Sequence, residues 1–197
     1  MKKIPALFEY VFSSTAAGGA KGGNAVYSPT VKPEARWVLE GEGIATEKID
    51  GTACLVQDGK LWKRYDRKKA NEGKPFPAGW MPAQDKDEKT GHWPGWLPIG
   101  AGPEDQWHRE ALRGALPPPG TYELIGPKVQ GNPYGLAEHR LVRHGESFTF
   151  GEPWNFDAVI WGARGVPRDR ENLISYLRAT PEIEGLSSTI RTAVWRR

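Results

Sequence analysis

Thr46-Glu47-Lys48-Ile49-Asp50-Gly51-Thr52-Ala53-Cys54-Leu55-Val56-Gln57-Asp58-Gly59-Lys60-Leu61-Trp62-Lys63-Arg64-Tyr65 is the stretch on which the fold turns. Thr52 to Gln57 is compatible with a β-strand. Asp58-Gly59 is a two-residue hairpin signal, because both positions of the favoured tight turn need a positive φ. Lys60 to Tyr65 then partly alternates polar and apolar residues, as a half-buried strand does. The stretch therefore predicts a β-hairpin with Lys48 at the entrance to its first strand. On an alternating strand Lys60 and Arg64 share one side and Lys63 takes the other.

On the N-terminal side, the opening residues form a strand-like segment. Ser13 to Gly23 is a Gly/Ala/Ser stretch that reads as a flexible loop, and Trp37-Val38-Leu39 reads as the start of the core. On the C-terminal side, Asp66 to Pro103 is rich in Pro, Gly and charge, and its length predicts a functional loop or lid. Glu104 to Arg113 predicts a helix, with acids in the first turn, Trp107, Ala111 and Leu112 on one face, and Gly114 near its end. Thr121 to Ile125 and Phe148 to Phe150 read as strands, and Gly131 to Gly135 as a tight turn. Asp169 to Leu177 reads as a helix with Asp169 as its N-cap. The pattern is α+β, antiparallel hairpins with few helices. The chain's 197 residues fit a single domain over 1–197.

Composition narrows the class. Hydrophobic residues at 38% and charged residues at 26% describe a soluble globular chain rather than a disordered or membrane-bound one. The 24 glycines and 17 prolines predict many turns, and the nine tryptophans divide between core positions and loops, where they could offer flat faces to bases. A net charge of +3 is compatible with a polyanionic partner but too small to establish one. A single cysteine, Cys54, excludes an intrachain disulfide. Pro5 and Glu9 interrupt the apolar run at the start, unlike a secretory signal. No segment approaches the ~20 apolar residues of a membrane span. A cytosolic monomer is the expectation.

Lys48 is the first candidate for chemistry. A lysine attacks phosphorus only when neutral, and with an ordinary pKa near 10.4 under ~0.1% is neutral at pH 7. It needs neighbouring cations, a metal or burial to lose its proton. Lys60, Lys63, Arg64, Arg67, Lys68 and Lys69 lie nearby in sequence. The competing reading is a surface lysine beside an Asp-Gly turn. Glu123 is the second candidate. Flanked by apolar strand residues, its carboxylate is costly to bury unless it meets a hydroxyl, a cation or a metal; otherwise it is a plain edge-strand glutamate. Glu182-Ile183-Glu184-Gly185-Leu186 forms an acidic segment near the C-terminus. The four histidines lack zinc-ligand spacing, and His139 and His144 are expected at the surface or at a phosphate. No phosphate-binding glycine loop of the Walker or dinucleotide type is present. Cys54, within an apolar strand, reads as core.

Taken together, these segments resemble the covalent nucleotidyltransferase superfamily of ATP-dependent DNA and RNA ligases and mRNA capping enzymes. The closest likeness is to the compact 5′-to-3′ RNA ligases of the vertebrate type. The nucleophile motif of that group is similar to Glu47-Lys48-Ile49-Asp50-Gly51-Thr52, and a following strand to Arg64-Tyr65-Asp66-Arg67-Lys68. The third motif is similar to Tyr122-Glu123-Leu124-Ile125-Gly126, with Gly131-Asn132-Pro133-Tyr134-Gly135-Leu136 after it, and the fourth begins like Glu184-Gly185-Leu186. The resemblance implies an antiparallel-sheet, ATP-grasp-like ligase core without an appended OB domain. It implies that Lys48 becomes lysyl-AMP using ATP and Mg²⁺ (or Mn²⁺). AMP then passes to an RNA 5′-phosphate, and a 3′-hydroxyl displaces it. It also implies that Glu47, Asp50 and Gly51 belong to the nucleotide site. Glu123 would hold the ribose hydroxyls, and Arg64 with Arg67 the nucleotide or phosphate. Phe148 or Phe150 would stack on adenine, and Glu184 would hold a divalent metal. Ala53 stands where DNA ligases carry a polar residue, which argues against DNA as the joined strand.

The chain departs from the family after Leu186. The expected Lys-x-Lys of a fifth motif is replaced by Ser187-Ser188-Thr189-Ile190-Arg191-Thr192-Ala193-Val194-Trp195-Arg196-Arg197, with no lysine. A shifted reading frame or truncation after Leu186 accounts for this, as does a natural variant in which Arg196 or Arg197 replaces the lysines. Two other readings stay open: a capping-type guanylyltransferase, and a nucleic-acid-binding relative with impaired catalysis.

Overall fold

The computed structural model describes residues 6–12, 25–40, 44–88, 90–144, 170–179 and 186–189. The chain divides into two units, one of Ile4–Lys48 with Asn155–Arg197 and one of Met1–Lys3 with Ile49–Trp154. The division passes between Lys48 and Ile49, inside the Lys-x-Asp-Gly segment.

In the first of these units β1 (Phe8–Phe12) pairs antiparallel with β2 (Ala25–Val31), with a register shift between Phe8 and Tyr10. A 3-10 helix over Pro33–Val38 follows, started by a proline that needs no donor there, and it buries Ala35. β3 (Ile44–Glu47) pairs antiparallel with β10 (Leu186–Thr189), setting Leu186 opposite Glu47 and Thr189 opposite Ile44. The C-terminal helix predicted over Asp169–Leu177 is α2 (Arg170–Ala179), with Glu171 in its first turn and Arg178 in its last, as the helix dipole favours. The Ser13–Gly23 loop, the Phe148–Phe150 strand and the Asp169 cap lie outside the described residues.

The other unit is built on the predicted hairpin. β4 (Thr52–Gln57) and β5 (Lys60–Arg64) are joined by Asp58 (φ 52°) and Gly59 (φ 69°), the left-handed pair that a two-residue hairpin turn requires. With β6 (Met81–Pro82), β7 (Gly95–Pro98), β8 (Gly120–Ile125) and β9 (Arg140–Arg143) they form a six-stranded antiparallel sheet in the order β6-β7-β5-β4-β8-β9. Cys54, Val56, Leu61, Tyr122 and Leu124 share one face and pack with Ala111 and Val129 into the core. Burial of each large apolar side chain of this kind contributes about 1.5–3 kcal/mol. Cys54 is fully buried, and burial, followed by the charge of Glu123, pushes its thiol above the ordinary range, as a core residue requires.

The predicted helix at Glu104–Arg113 is a 3-10 turn, Pro103–Asp105, continuing into α1 (Gln106–Leu112), and it stops where Arg113 (φ 49°) and Gly114 (φ 80°) enter the left-handed region. Asp105 is buried beneath it, taking Lys63 Nζ at 2.5 Å and the Gly100 amide at 2.7 Å. Asp66–Pro103 is not all loop: it contributes β6 and β7, and β7 bonds to β5 and carries Trp96, 1% exposed. One expectation fails. His139 is not a surface residue: it is buried, stacks on Trp107 at 4.7 Å, and sets Nδ1 3.0 Å from Glu110.

Candidate functional site

The sheet face away from α1 carries the residues of interest in one cross-strand row. Arg64 on β5 stands opposite Trp96 on β7, and Ala53 on β4 opposite Glu123 on β8, which in turn faces Val142 on β9. Continuing the β4–β5 register one step past Cys54–Lys63 sets Arg64 opposite Ala53. Arg64 and Glu123 are therefore two strand spacings apart, about 9–10 Å along the row. Ala53, with a single methyl group, leaves the floor between a cation and a carboxylate open.

Both charged groups are held. Arg64 Nε donates to Asp66 Oδ1 at 2.5 Å, and its guanidinium lies 5.3 Å from the Trp96 ring centroid. The second oxygen of Asp66 meets His92 Nε2 at 3.0 Å. Glu123 Oε2 meets His144 Nε2 at 2.8 Å. β8 lies between β4 and β9, so Glu123 is not an edge-strand glutamate, and its side chain is only 12% exposed. A carboxylate this sheltered needs a partner. The imidazole is that partner here, and vicinal hydroxyls of a sugar are chemically able to replace it.

Lys48 is exposed, as a surface lysine would be, but Asp50-Gly51 beside it is not a hydrogen-bonded turn. Glu47 ends β3, and Gly51 is absent from the glycines with positive φ, so left-handed backbone is not why a glycine stands there. The reason is close approach. A Cβ on Gly51 would lie 2.3 Å from the Leu124 carbonyl oxygen, 2.7 Å from Glu123 Cγ and 2.9 Å from Ile125 Cγ2. The segment is also bonded to the loop after β8. The Asp50 amide donates to Tyr134 Oη at 2.6 Å, and Gln130 Nε2 donates to the Gly51 carbonyl at 3.2 Å. That loop is itself braced, with Asn132 donating to and accepting from Leu136 through its side chain at 3.0 and 2.9 Å. Gln130 (φ 46°) and Asn132 (φ 57°) take left-handed backbone to make it.

The remaining candidates separate. Arg67, expected at the nucleotide, is buried with its guanidinium donating to three carbonyls, Pro75 at 3.1 Å, Asn71 at 2.7 Å and Lys74 at 2.8 Å. It organises its own loop. Lys63 faces the α1 side with Asp105, and Lys68 and Lys69 are exposed beyond the sheet. Of the basic cluster only Arg64 shares a row with Glu123. Phe148, Phe150 and Glu184 lie outside the described residues, and among the described residues no group of three or more His, Cys, Asp or Glu side chains is placed to hold a metal. The sequence alone does not mark His144 or Gln130 as partners, and it gives Tyr134 only as part of the Gly131–Gly135 turn and of the segment similar to the family's.

Comparison with known proteins agrees in kind. The chain is 29% identical to RNA ligase 1 of Mus musculus, with 52% of this chain and 52% of the relative covered. It is 27% identical to RNA ligase 1 of Pongo abelii over the same shares, and 28% identical to that of Danio rerio over 51% of this chain and 52% of the relative. The chain thus spans about half the length of the curated relatives it matches. No family model matches it. No helix among the described residues is long and apolar enough to cross a membrane. These similarities support a relationship of RNA-ligase type.

Proposed function

We propose that the protein is an ATP-dependent RNA ligase working through a nucleotide carried on Lys48. The observation that carries this reading is the row Arg64–Ala53–Glu123, on the strands that follow directly from the Lys48-Ile49-Asp50-Gly51 segment and share its motif order. In the proposed reaction the neutral Lys48 Nζ attacks the α-phosphorus of ATP. A P–N bond forms and pyrophosphate leaves. A 5′-phosphate oxygen of RNA then displaces the lysine, which leaves as the amine, and forms a P–O–P linkage to AMP. A 3′-hydroxyl attacks the RNA phosphorus, AMP leaves, and the strand is sealed.

Arg64 is assigned to a nucleotide phosphate and Glu123 to the ribose hydroxyls, where they would displace His144. Glu47, Asp50 and Gly51 set the backbone on either side of Lys48. Tyr134 and Gln130 hold Asp50 and Gly51 in place, so they are positioning residues. Phe148 or Phe150 is assigned to the adenine. Mg²⁺ would neutralise charge on the phosphates, with Glu184 as its protein ligand.

The test uses an RNA with a 5′-phosphate and a 3′-hydroxyl, incubated with protein, Mg²⁺ and ATP and resolved on a denaturing gel. An adenylated RNA and a sealed product are expected with ATP and neither with GTP. Protein labelling by GTP alone would transfer the reading to a capping-type enzyme. RNA binding without labelling by either nucleotide would leave a binding protein.

A further inference from the structure

A second surface lies in the Asp66–Pro94 loop, which adjoins the Arg64–Trp96 end of the row, Met81 pairing with Trp96 and Trp80 Nε1 donating to the Tyr65 carbonyl. We propose that it is a stacking platform for single-stranded RNA, with Phe76 as the ring on which one base lies. The choice of RNA rests on the ligase reading above; the platform itself rests on the geometry around Phe76.

Phe76 is 51% exposed, yet it is not loose. The Arg67 guanidinium sits 4.1 Å from its ring centroid, and that guanidinium is fixed by its three carbonyls. Trp80 lies 5.0 Å away at an interplanar angle of 40°, and Trp93 5.5 Å away, edge-on at 87°. The two indoles are themselves 5.1 Å apart and tied to backbone, Trp80 Nε1 to the Tyr65 carbonyl and Trp93 Nε1 to the Gln84 carbonyl. Folding normally hides a phenylalanine. Here the fold commits two tryptophans and a buried arginine to holding one half out in water, which is how an apolar contact site is prepared rather than how a core is filled. A ring already immobilised loses little entropy when a ligand covers it.

Charge says which ligand. Phe76 and Trp93 border a cavity of about 410 Å³ that is also lined by Lys68, Lys74, Lys86 and Glu72. Lys86 pairs with Glu72 at 2.9 Å, while Lys68 and Lys74 are exposed on the same rim. An apolar peptide would not call for that rim. A flat aromatic face beside lysines at phosphate reach fits a single strand, whose bases stack without regard to sequence while its phosphates meet the cations. Duplex RNA has no unstacked base to offer.

The experiment is fluorescence anisotropy on the full chain with a labelled 5′-phosphorylated single-stranded oligoribonucleotide and a duplex of the same length. Phe76→Ala should weaken single-strand binding roughly 5- to 150-fold. Phe76→Trp should retain it. Lys74→Glu should weaken it too and make the log–log salt slope shallower by about 0.7 for each phosphate no longer neutralised. Duplex binding should be weaker than single-strand binding and insensitive to Phe76. Incorporation of AMP into Lys48 is followed in parallel, and each variant should retain it. If Phe76→Ala also loses AMP incorporation, its fold is disturbed and Lys74→Glu decides. Single-strand affinity unchanged in both Phe76→Ala and Lys74→Glu overturns the platform. Affinity that depends on both residues, in a protein that takes up no AMP, upholds the platform and overturns the ligase reading instead.

Discussion

Gly51→Ala tests the fold and the candidate site together. The added Cβ would lie 2.3 Å from the Leu124 carbonyl oxygen, where separations under 3.0 Å do not occur, so the two strands must separate by about 0.7 Å (3.0 minus 2.3). The obstacle is backbone inside the β4–β8 ladder, next to the Thr52–Leu124 pair, not the free end of a side chain. Overpacking of this kind costs about 1–3 kcal/mol, and weakening one ladder hydrogen bond adds about 1 kcal/mol. Together these give about 2–4 kcal/mol, or a Tm lowered by about 4–16 °C for a chain of this length. The second clash is with Glu123 Cγ at 2.7 Å, so the carboxylate assigned to the ribose must move as well. Displacing a positioning group by ~1 Å can cost about a hundredfold in rate, so AMP incorporation should fall by that order per folded molecule. Gly59→Ala is the control. No atom lies within 4 Å of its Cβ, and its φ of +69° costs about 1 kcal/mol of backbone strain in the hairpin turn. It should lower Tm modestly and leave AMP incorporation unchanged. Thermal melts and single-turnover adenylation, read together, decide. If Gly51→Ala melts like wild type, the close-approach argument is wrong; if it loses stability while adenylating at the wild-type rate, the assignment of Glu123 to the ribose is wrong.

Three further outcomes follow from named contacts. Tyr134→Phe removes the acceptor of the Asp50 amide, so it should cost about 1 kcal/mol in denaturant unfolding and slow AMP incorporation more than it raises the apparent KM for ATP. Asp105→Asn strands the Lys63 ammonium against the core and should cost on the order of 3 kcal/mol, while Lys63→Met with Asp105→Asn should recover part of it. Burial holds His108 below its ordinary value near 6.5, outweighing the opposing pull of Asp105, and the charges of Lys63, Arg109 and His139 act in the same direction as burial. Its neutral form therefore stabilises the fold above pH ~6.5, and that contribution is lost as pH falls below it. Equilibrium unfolding at pH 7 and pH 5 should show a smaller difference in His108→Asn than in wild type.

The hairpin was legible because Asp58-Gly59 has one physical meaning between two strand-like runs. β8 and α1 were legible for the same kind of reason, a local pattern with little competition. β7 was not. Its residues follow Pro94 and end on Pro98 in a loop-like composition, and only pairing with β5 and β6 makes them a strand. Arg64 and Arg67 look equivalent in sequence three residues apart. Register gives the first to the row with Glu123, and a network of carbonyls takes the second into its own loop. His144 could not be found as the partner of Glu123 without the β8–β9 register, since 21 residues separate them. Gly51 stands out in the sequence only as one letter of a motif, and its physical reason, close approach to β8, exists only in three dimensions.

Everything proposed for the Glu123 row depends on Lys48 carrying a nucleotide. The decisive measurement is the intact mass of the full chain after incubation with ATP and Mg²⁺, with the modified residue located by peptide mass. The expected result is one added AMP on Lys48, absent from Lys48→Ala. No adduct with ATP or GTP, or an adduct that persists in Lys48→Ala, would contradict it.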